Sequence, residues 1–339
     1  MKAALLLAAA LLVHAAGPYA GSVVCSECHR AEAAHYGQTP MAMALESVTT
    51  CDILRKHPEL KGKFGDFEYR ISRQGDSSIL TVTGKGKDLT VPLLWAFGLG
   101  KAGQTYVFER AGVFYESRVS YYEALDGLDY TMGAGNTRVT DIEDAAGRPM
   151  SVEASRDCFG CHSTGGVTLG RLHLDAMRPG VGCEACHGPS GQHVTAVRAG
   201  HAAEAKMARL GGLSAEEMSE LCGRCHRTWS QIATQGPLGV NNVRFQPYRL
   251  ANSKCYDATD ARMRCTACHD PHGPLVRSAA AYDAKCVACH SAGAGGKLCS
   301  VARATCTGCH MPKLDLPGAN AKFTDHQIRI VRANQPYPN

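Results

Sequence analysis

Seven copies of the pattern Cys-x-x-Cys-His run through the chain, six of them within residues 158–310. A long β-patterned stretch with a single cysteine separates the first copy from the second. These two observations predict the fold class of a multihaem cytochrome c: mainly short α-helices and loops packed around haems, with an antiparallel β-rich insert.

A third observation is the N-terminus. Lys2 gives a short positive start, residues 3–13 are an unbroken apolar run, and small residues follow from Ala16 to Ala20. This is the layout of a secretory signal peptide, with cleavage expected after Ala20 or after Ala16. The run falls short of the roughly 20 apolar residues a bilayer span needs. No later segment is apolar enough to cross a membrane, so the mature chain is expected to be exported, periplasmic or extracellular, without membrane insertion. The expected organisation is a signal peptide (1–20), a first haem segment (21–62), a β-rich haem-free domain (63–150) and a six-haem cytochrome domain (151–339).

The chain has 339 residues and 17 cysteines, too many for a reduced cytosolic protein with no use for them. Fourteen fall into the repeated motif: Cys25, Cys28 and His29; Cys158, Cys161 and His162; Cys183, Cys186 and His187; Cys222, Cys225 and His226; Cys265, Cys268 and His269; Cys286, Cys289 and His290; Cys306, Cys309 and His310. Two intervening residues let one turn of chain bring both sulfurs to the two vinyl groups of a porphyrin. The next residue then lies under the iron and supplies its proximal nitrogen. The expected cofactor is therefore covalent haem c, seven per chain. A CxxC pair can also hold zinc or form a redox disulfide, but zinc ribbons do not require a histidine after every pair.

Haem alters the charge argument. The formal charge is +5, or +4 once Lys2 leaves. Two ionised propionates per haem bring the holoprotein to about −3 oxidised and about −10 reduced. The expectation is redox partner proteins and no nucleic acid; self-association into a homo-oligomer stays open.

Electron-transfer haems commonly have both axial positions filled, so distal ligands are wanted. Outside the signal and the motifs the histidines are His35, His57, His173, His193, His201, His272 and His326. His272 follows an Asp270-Pro271 turn that carries it from its own haem towards a neighbour. His326, beside Asp325, lies late enough to fold back. His193 follows a turn-rich linker after His187, and His57 precedes Pro58 at the edge of the first haem segment. These four are the favoured distal ligands; Met41 and Met43 compete with His35 near the first haem, where a methionine raises the potential.

Phe67, Tyr69 and Ile71 alternate with polar residues, and β-rich runs recur around residues 81–83, 105–109 and 113–119, with a turn at residues 109–112. This predicts an antiparallel sheet of about four to six strands over residues 65–135. Its aromatics, Trp95, Phe97, Tyr106, Phe108, Phe114, Tyr115, Tyr121 and Tyr122, are expected to form the core and a haem-facing side. Further on, Ser214 and Glu217 form a capping box opening a helix into Cys222, and residues 193–210 read as helix. Of the remaining cysteines, Cys255 and Cys299 are expected to bridge, leaving Cys51 over.

The segments around Cys183, Cys265 and Cys306, and the run from Phe323 to Ile330, resemble exported multihaem cytochromes of acidobacterial and planctomycete type. That group lies in the superfamily of tetrahaem nitrification cytochromes, pentahaem nitrite reductase, hydroxylamine oxidoreductase and octahaem tetrathionate reductase. The tetratricopeptide repeats sometimes fused to that family are absent. So is the CxxCK motif of its nitrite reductases, and Thr39-Pro40-Met41 stands where relatives often place a histidine.

The expected function is transfer of electrons between redox partners by a seven-haem cytochrome, with no catalytic residue assigned. The alternative is a multihaem oxidoreductase acting on a small nitrogen or sulfur compound at one open haem, with Arg118, Tyr121, Tyr122 and Asp126 as its available polar groups.

Overall fold

Strict alternation of apolar and polar residues builds the centre of the molecule. The computed structural model describes residues 18–236, 238–291, 299–302, 304–316 and 318–332. Nine antiparallel strands form one sheet: β1 (Leu45–Ser47), β2 (Glu59–Phe64), β3 (Phe67–Gln74), β4 (Ser77–Gly84), β5 (Lys87–Gly100), β6 (Gly103–Arg110), β7 (Val113–Tyr122), β8 (Gly127–Tyr130) and β9 (Gly147–Pro149). The order runs from β2 to β8 in sequence, with β1 on β5 and β9 on β7. Strand β2 also packs against β8, where the Phe64 and Tyr130 rings lie 5.0 Å apart, so the sheet nearly closes into a barrel.

Each hairpin is set by its turn. Lys85-Gly86 and Ala111-Gly112 both adopt positive φ at their two positions, the twist that matches flanking strands. Inside, Phe67, Tyr69, Ile71, Leu80, Val82 and Tyr106 are buried together. Cys51 joins this core, its Sγ 3.2 Å from Gln104 Oε1; burial pushes its thiol up to about 11, which keeps it protonated and unreactive.

The sheet exceeds the expected four to six strands over residues 65–135, because it begins at Leu45 and ends at Pro149. The hidden strands are short or polar (β1, β2, β9) or interrupted. Strand β5 carries Pro92 and register shifts between Leu93 and Trp95 and between Phe97 and Gly100.

The remainder is helical and loop-rich, as expected. The described helices are α1 (Ser22–Ser26), α2 (Arg30–Tyr36), α3 (Asp52–Lys56), α4 (Ile142–Ala146), α5 (Val152–His162), α6 (Cys183–His187), α7 (Gly191–Arg198), α8 (Ala215–His226), α9 (Trp229–Gln235), α10 (Gln246–Ala251), α11 (Cys265–Cys268), α12 (Ala279–Val287) and α13 (Cys306–His310). The capping box of α8 is formed, with Glu217 N donating to Ser214 Oγ at 3.2 Å and Ser214 N to Glu217 Oε2 at 2.7 Å. The helix expected over residues 193–210 stops at Arg198, because Gly200 turns the chain at φ +81°. Cys255 is an exposed, unbridged thiol, so the expected Cys255–Cys299 disulfide is not formed; its electrostatic neighbour is Cys289 of the sixth motif. Among the described residues no helix is long and apolar enough to cross a membrane.

Residues 1–17, most of the expected signal segment, lie outside the described residues. The next residues belong to the fold. Pro18 O accepts from Gly191 N at 3.1 Å, and Tyr19 O accepts from Arg178 Nη2 at 3.0 Å. Ala20 N donates to Glu184 Oε1 at 2.8 Å, and the Tyr19 ring packs over Gly165. Cleavage after Ala16 keeps these contacts, whereas cleavage after Ala20 removes them. If the N-terminal segment is cleaved on export, the mature protein is expected to begin at Gly17. Intact-mass measurement decides the point, and a chain starting at Gly21 would show that residues 18–20 have no role in the mature fold.

Candidate functional site

Each motif is one helical turn. The His29, His269 and His290 amides reach back to the carbonyls of Cys25, Cys265 and Cys286 at 2.9, 2.9 and 3.0 Å. A turn closed this way puts both sulfurs on one side and starts the histidine side chain from the turn's end, the shape the attachment chemistry needs.

The imidazoles are held in one orientation. The Nδ1 atoms of His162 and His310 lie 2.9 Å from the carbonyl oxygens of Ala44 and Arg329, and His326 Nδ1 lies 3.0 Å from Thr324 O. A carbonyl only accepts, so Nδ1 carries the proton and Nε2 keeps its lone pair for a metal. His226 Nδ1 meets Gln246 Oε1 at 3.1 Å, and His269 Nδ1 meets Tyr282 Oη at 3.3 Å. Burial holds His162, His187, His226 and His269 below the usual histidine value and lowers His326 to about 4. All five are thus in the neutral, ligating form.

Two pairs of rings face one another. His187 of the third motif and His272 have ring centroids 6.2 Å apart and lie nearly parallel, at 13°. His269 of the fifth motif and His326 are also 6.2 Å apart, at 38°. Two imidazole nitrogens on opposite sides of one metal, each about 2 Å from it, put their ring centroids about 6 Å apart. The third motif also borders a cavity of about 620 Å³ lined by Cys186, His187, Leu210, Leu213, Leu221 and Arg224, apolar over much of its wall. Among the described residues no group of three or more His, Cys, Asp or Glu converges to hold a metal ion alone. The donor sets therefore fit haem, with one histidine on each face, better than a four-ligand zinc site.

The motifs also touch one another. Helix α1 packs on α6, bringing Cys25 beside Cys183. Helix α5 packs on α8, with Cys161 Sγ 3.5 Å from Arg224 O. Helix α8 packs on α11, α11 on α12, and α12 on α13. Arg224 of α8 also borders Cys186 across the cavity. The fourth motif thereby adjoins the second, the third and the fifth.

The sheet seats the second motif. Phe159, fully buried between Cys158 and Cys161, meets Phe97 edge-on at 5.1 Å and lies 6.1 Å from Trp95 and 5.7 Å from Phe114. Phe97 in turn lies 5.3 Å from the His162 ring. The aromatics thus divide as expected, some in the sheet's core and some on the face towards a motif.

A residue that the motif pattern alone does not single out clamps the first motif to the third. Glu184, 4% exposed, accepts from Ala20 N and Gly21 N at 2.8 Å each, Ser190 N at 2.9 Å and Ser190 Oγ at 2.6 Å. Burial alone would raise its carboxyl; these donors outweigh it and hold the group below the usual carboxylate range. Its only signal in the sequence is a carboxylate inside a CxxC pair.

The other candidate ligands are not paired across a motif in this way. His57 caps α3 with its ring 5.0 Å from Tyr121 and its Nε2 3.6 Å from Asp126 Oδ1, on the sheet. His193 lies in α7 with Nδ1 2.9 Å from Ala205 O, an anchored ring of the same kind as the ligands above. His201 pairs with Glu204 at 2.8 Å, His35 lies in the last turn of α2, and His173 follows a short hairpin. Arg118, Tyr121, Tyr122 and Asp126 serve the sheet. Arg118 donates to Ala134 O at 2.8 Å and Thr137 O at 2.6 Å, Tyr121 to Asp126 at 3.0 Å, and Tyr122 to Tyr130 O at 2.8 Å.

Comparison with known proteins agrees with this picture. Residues 129–188, which include the second and third motifs, match the family "Cytochrome c554 and c-prime". The multiheme cytochrome MtrA of Shewanella baltica (strain OS185) is 27% identical over 152 residues, covering 35% of this chain and 45% of that protein. The chain thus matches less than half the length of this curated relative. Among solved structures, the outer cell wall cytochrome OcwA shares the fold with a TM-score of 0.52 at 14% identity, over 93% of this chain and 80% of that one. Motifs, imidazole geometry and likeness together support the class of multihaem c-type cytochromes.

Replacing Glu184 with Ala strands buried amides and is expected to destabilise the holoprotein by about 2 kcal/mol. With Glu184→Gln the sign of the pH dependence is informative. A carboxyl lowered in the folded state stabilises fully above its unfolded value, near about 4.3, and loses that contribution as pH falls through its folded value. Denaturant unfolding from pH 7 to 3 should show the gap between wild type and Glu184→Gln narrowing below about pH 4. A constant gap would mean that the carboxylate charge contributes nothing.

Proposed function

We propose that the chain is an exported electron carrier with seven haem c groups, one at each Cys-x-x-Cys-His motif, and that it belongs with the exported multihaem cytochromes its C-terminal motifs resemble. The observation that carries this reading is the succession of neighbouring motifs: α1 packs on α6, α5 on α8, α8 on α11, α11 on α12 and α12 on α13, and Arg224 of α8 borders Cys186 of α6 across the cavity. Each bound haem takes up and releases one electron at its iron. The protein's part is to hold the attachment points near one another and to fix imidazoles such as those of His162, His310 and His326 through Nδ1. We assign His272 opposite His187 and His326 opposite His269 as distal ligands; their 6.2 Å separations support this. His193 is assigned as a third distal ligand on the strength of its anchored Nδ1, with its partner motif unassigned. His57, expected as a fourth, is better explained as a residue of the sheet edge. A soluble redox protein as donor or acceptor fits the strongly negative holoprotein. The polar groups weighed for a small-molecule reductase are occupied by bonds within the sheet, which favours the carrier.

The test is haem quantification with low-temperature EPR of the oxidised protein matured with its haems. Seven haems per chain with only low-spin signals are expected. Fewer haems would overturn the one-per-motif assignment. A high-spin signal of one equivalent in the wild type would favour the oxidoreductase alternative. His272→Ala is expected to convert about one haem equivalent to high spin; an unchanged spectrum removes His272 as a ligand.

A further inference from the structure

The assignment of His326 as distal ligand leaves a question of register. His326 lies on an extended segment just after a three-residue hairpin strand (Lys322–Thr324), and a slip of one residue would turn its side chain away from His269. Apolar packing at that hairpin is slight: buried Leu314 opposite Phe323 is its apolar pair, and among the described residues the two large apolar clusters lie within residues 45–177. A buried ion triad is centred on the adjacent residue. Arg249 and Asp325 have fully buried side chains and form a bidentate pair, Nε to Oδ1 and Nη2 to Oδ2, both at 2.9 Å. Arg329 Nη1 closes on Asp325 Oδ2 at 2.6 Å and on Gln327 O at 2.8 Å. By sequence this carboxylate is His326's companion; in the fold it turns instead to Arg249, and His326 Nδ1 uses Thr324 O.

Backbone contacts complete the fixation. Ser253 Oγ donates to His326 O at 3.1 Å and accepts from Ile328 N at 2.8 Å, while Asp325 N donates to Pro312 O at 2.9 Å. The same few residues then reach the seventh motif, where Arg329 O receives His310 Nδ1 at 2.9 Å. A buried ion pair is poor evidence for stability, because desolvation offsets its attraction; its best-attested use is to specify register.

Building on the ligand assignment of His326, we propose that the Arg249–Asp325–Arg329 triad is a positioning device that sets distal ligation at the fifth motif and the imidazole hydrogen bond at the seventh together, so that the two haem sites respond as one to its loss. Arg249 is a positioning residue: it acts through Asp325 and touches neither imidazole in any contact described.

The experiment compares holoprotein carrying Arg249→Met, Arg249→Lys, His326→Ala and the double variant Arg249→Met/His326→Ala. Haem content, ferric EPR and carbon monoxide binding by the ferrous form are measured. His326→Ala is expected to open one haem equivalent to high spin and to carbon monoxide. Arg249→Met is expected to open that same equivalent and to shift the low-spin signal of a second haem. The double variant should open no more than one, and Arg249→Lys, which keeps the charge but loses the planar fork, should restore part of the low-spin signal. The proposal is overturned if Arg249→Met stays fully low-spin with full haem content while His326→Ala opens a haem. If His326→Ala opens none, the ligand assignment itself falls. Should Arg249→Met fail to take up haem, Asp325→Asn, which keeps the shape and removes the charge, takes its place. An opened haem equivalent in Asp325→Asn then supports the positioning role, and a fully low-spin spectrum with full haem content overturns it.

Discussion

Two pairs of imidazoles stand at a spacing that would suit one metal between them, and the chain supplies each pair from distant places. His187 meets His272 and His269 meets His326, each at a 6.2 Å ring separation. In each pair one histidine sits at the end of a CxxC turn, whose geometry is local. The other depends on where a separate segment is laid. The tolerance is a few tenths of an ångström, so the architecture around the motifs is best read as the means of laying those segments down. A carbonyl oxygen at Nδ1 fixes ring rotation and tautomer for His162, His310 and His326, and burial keeps His326 neutral.

An ordinary hydrophobic core does little of this in the helical part. The two apolar clusters belong to the sheet and to its contact with Phe159, within residues 45–177. Among the described residues the sheet holds the largest apolar core, and the second motif is fastened to it through Phe97, Trp95 and Phe114. Beyond that point the motif helices are about one to three turns long, too short to be stable alone, and pack on one another and on short neighbours such as α2 and α10. Under the proposed function, haem at these motifs would complete a core that the side chains leave thin, and the sheet would be the stable base beside it.

What the sequence disclosed follows the same division. The motifs were legible because of their fixed spacing, and the approach of His272 to a neighbouring motif because the Asp270-Pro271 turn has few conformations, with Asp270 Oδ1 accepting from His272 N at 2.9 Å. The hairpin at Ala111-Gly112 was readable from turn chemistry and alternation. The full sheet was not, because β1 and β9 have three residues each and β5 carries Pro92 within it. The contacts of Glu184 and Arg249 were hidden for another reason. Their partners lie 163–164 and 76 residues away, and a charged residue in a loop-rich stretch ordinarily reads as surface.

Those two residues share a logic. The segment before the first motif is held by a buried carboxylate that collects backbone amides, and the segment after the last motif by a buried carboxylate that collects two arginines. Apolar side chains would hold such extended segments with comparable energy but without a preferred register, since one apolar contact is much like the next. A carboxylate with every lone pair spoken for accepts one alignment only, and a misaligned one leaves a charge buried and unpaired at a cost of several kcal/mol. In a protein whose cofactors do the chemistry, that penalty acts on alternative alignments more than it strengthens the native one. Asp325 stands one residue from His326, so the alignment it enforces is the one that delivers the imidazole to His269.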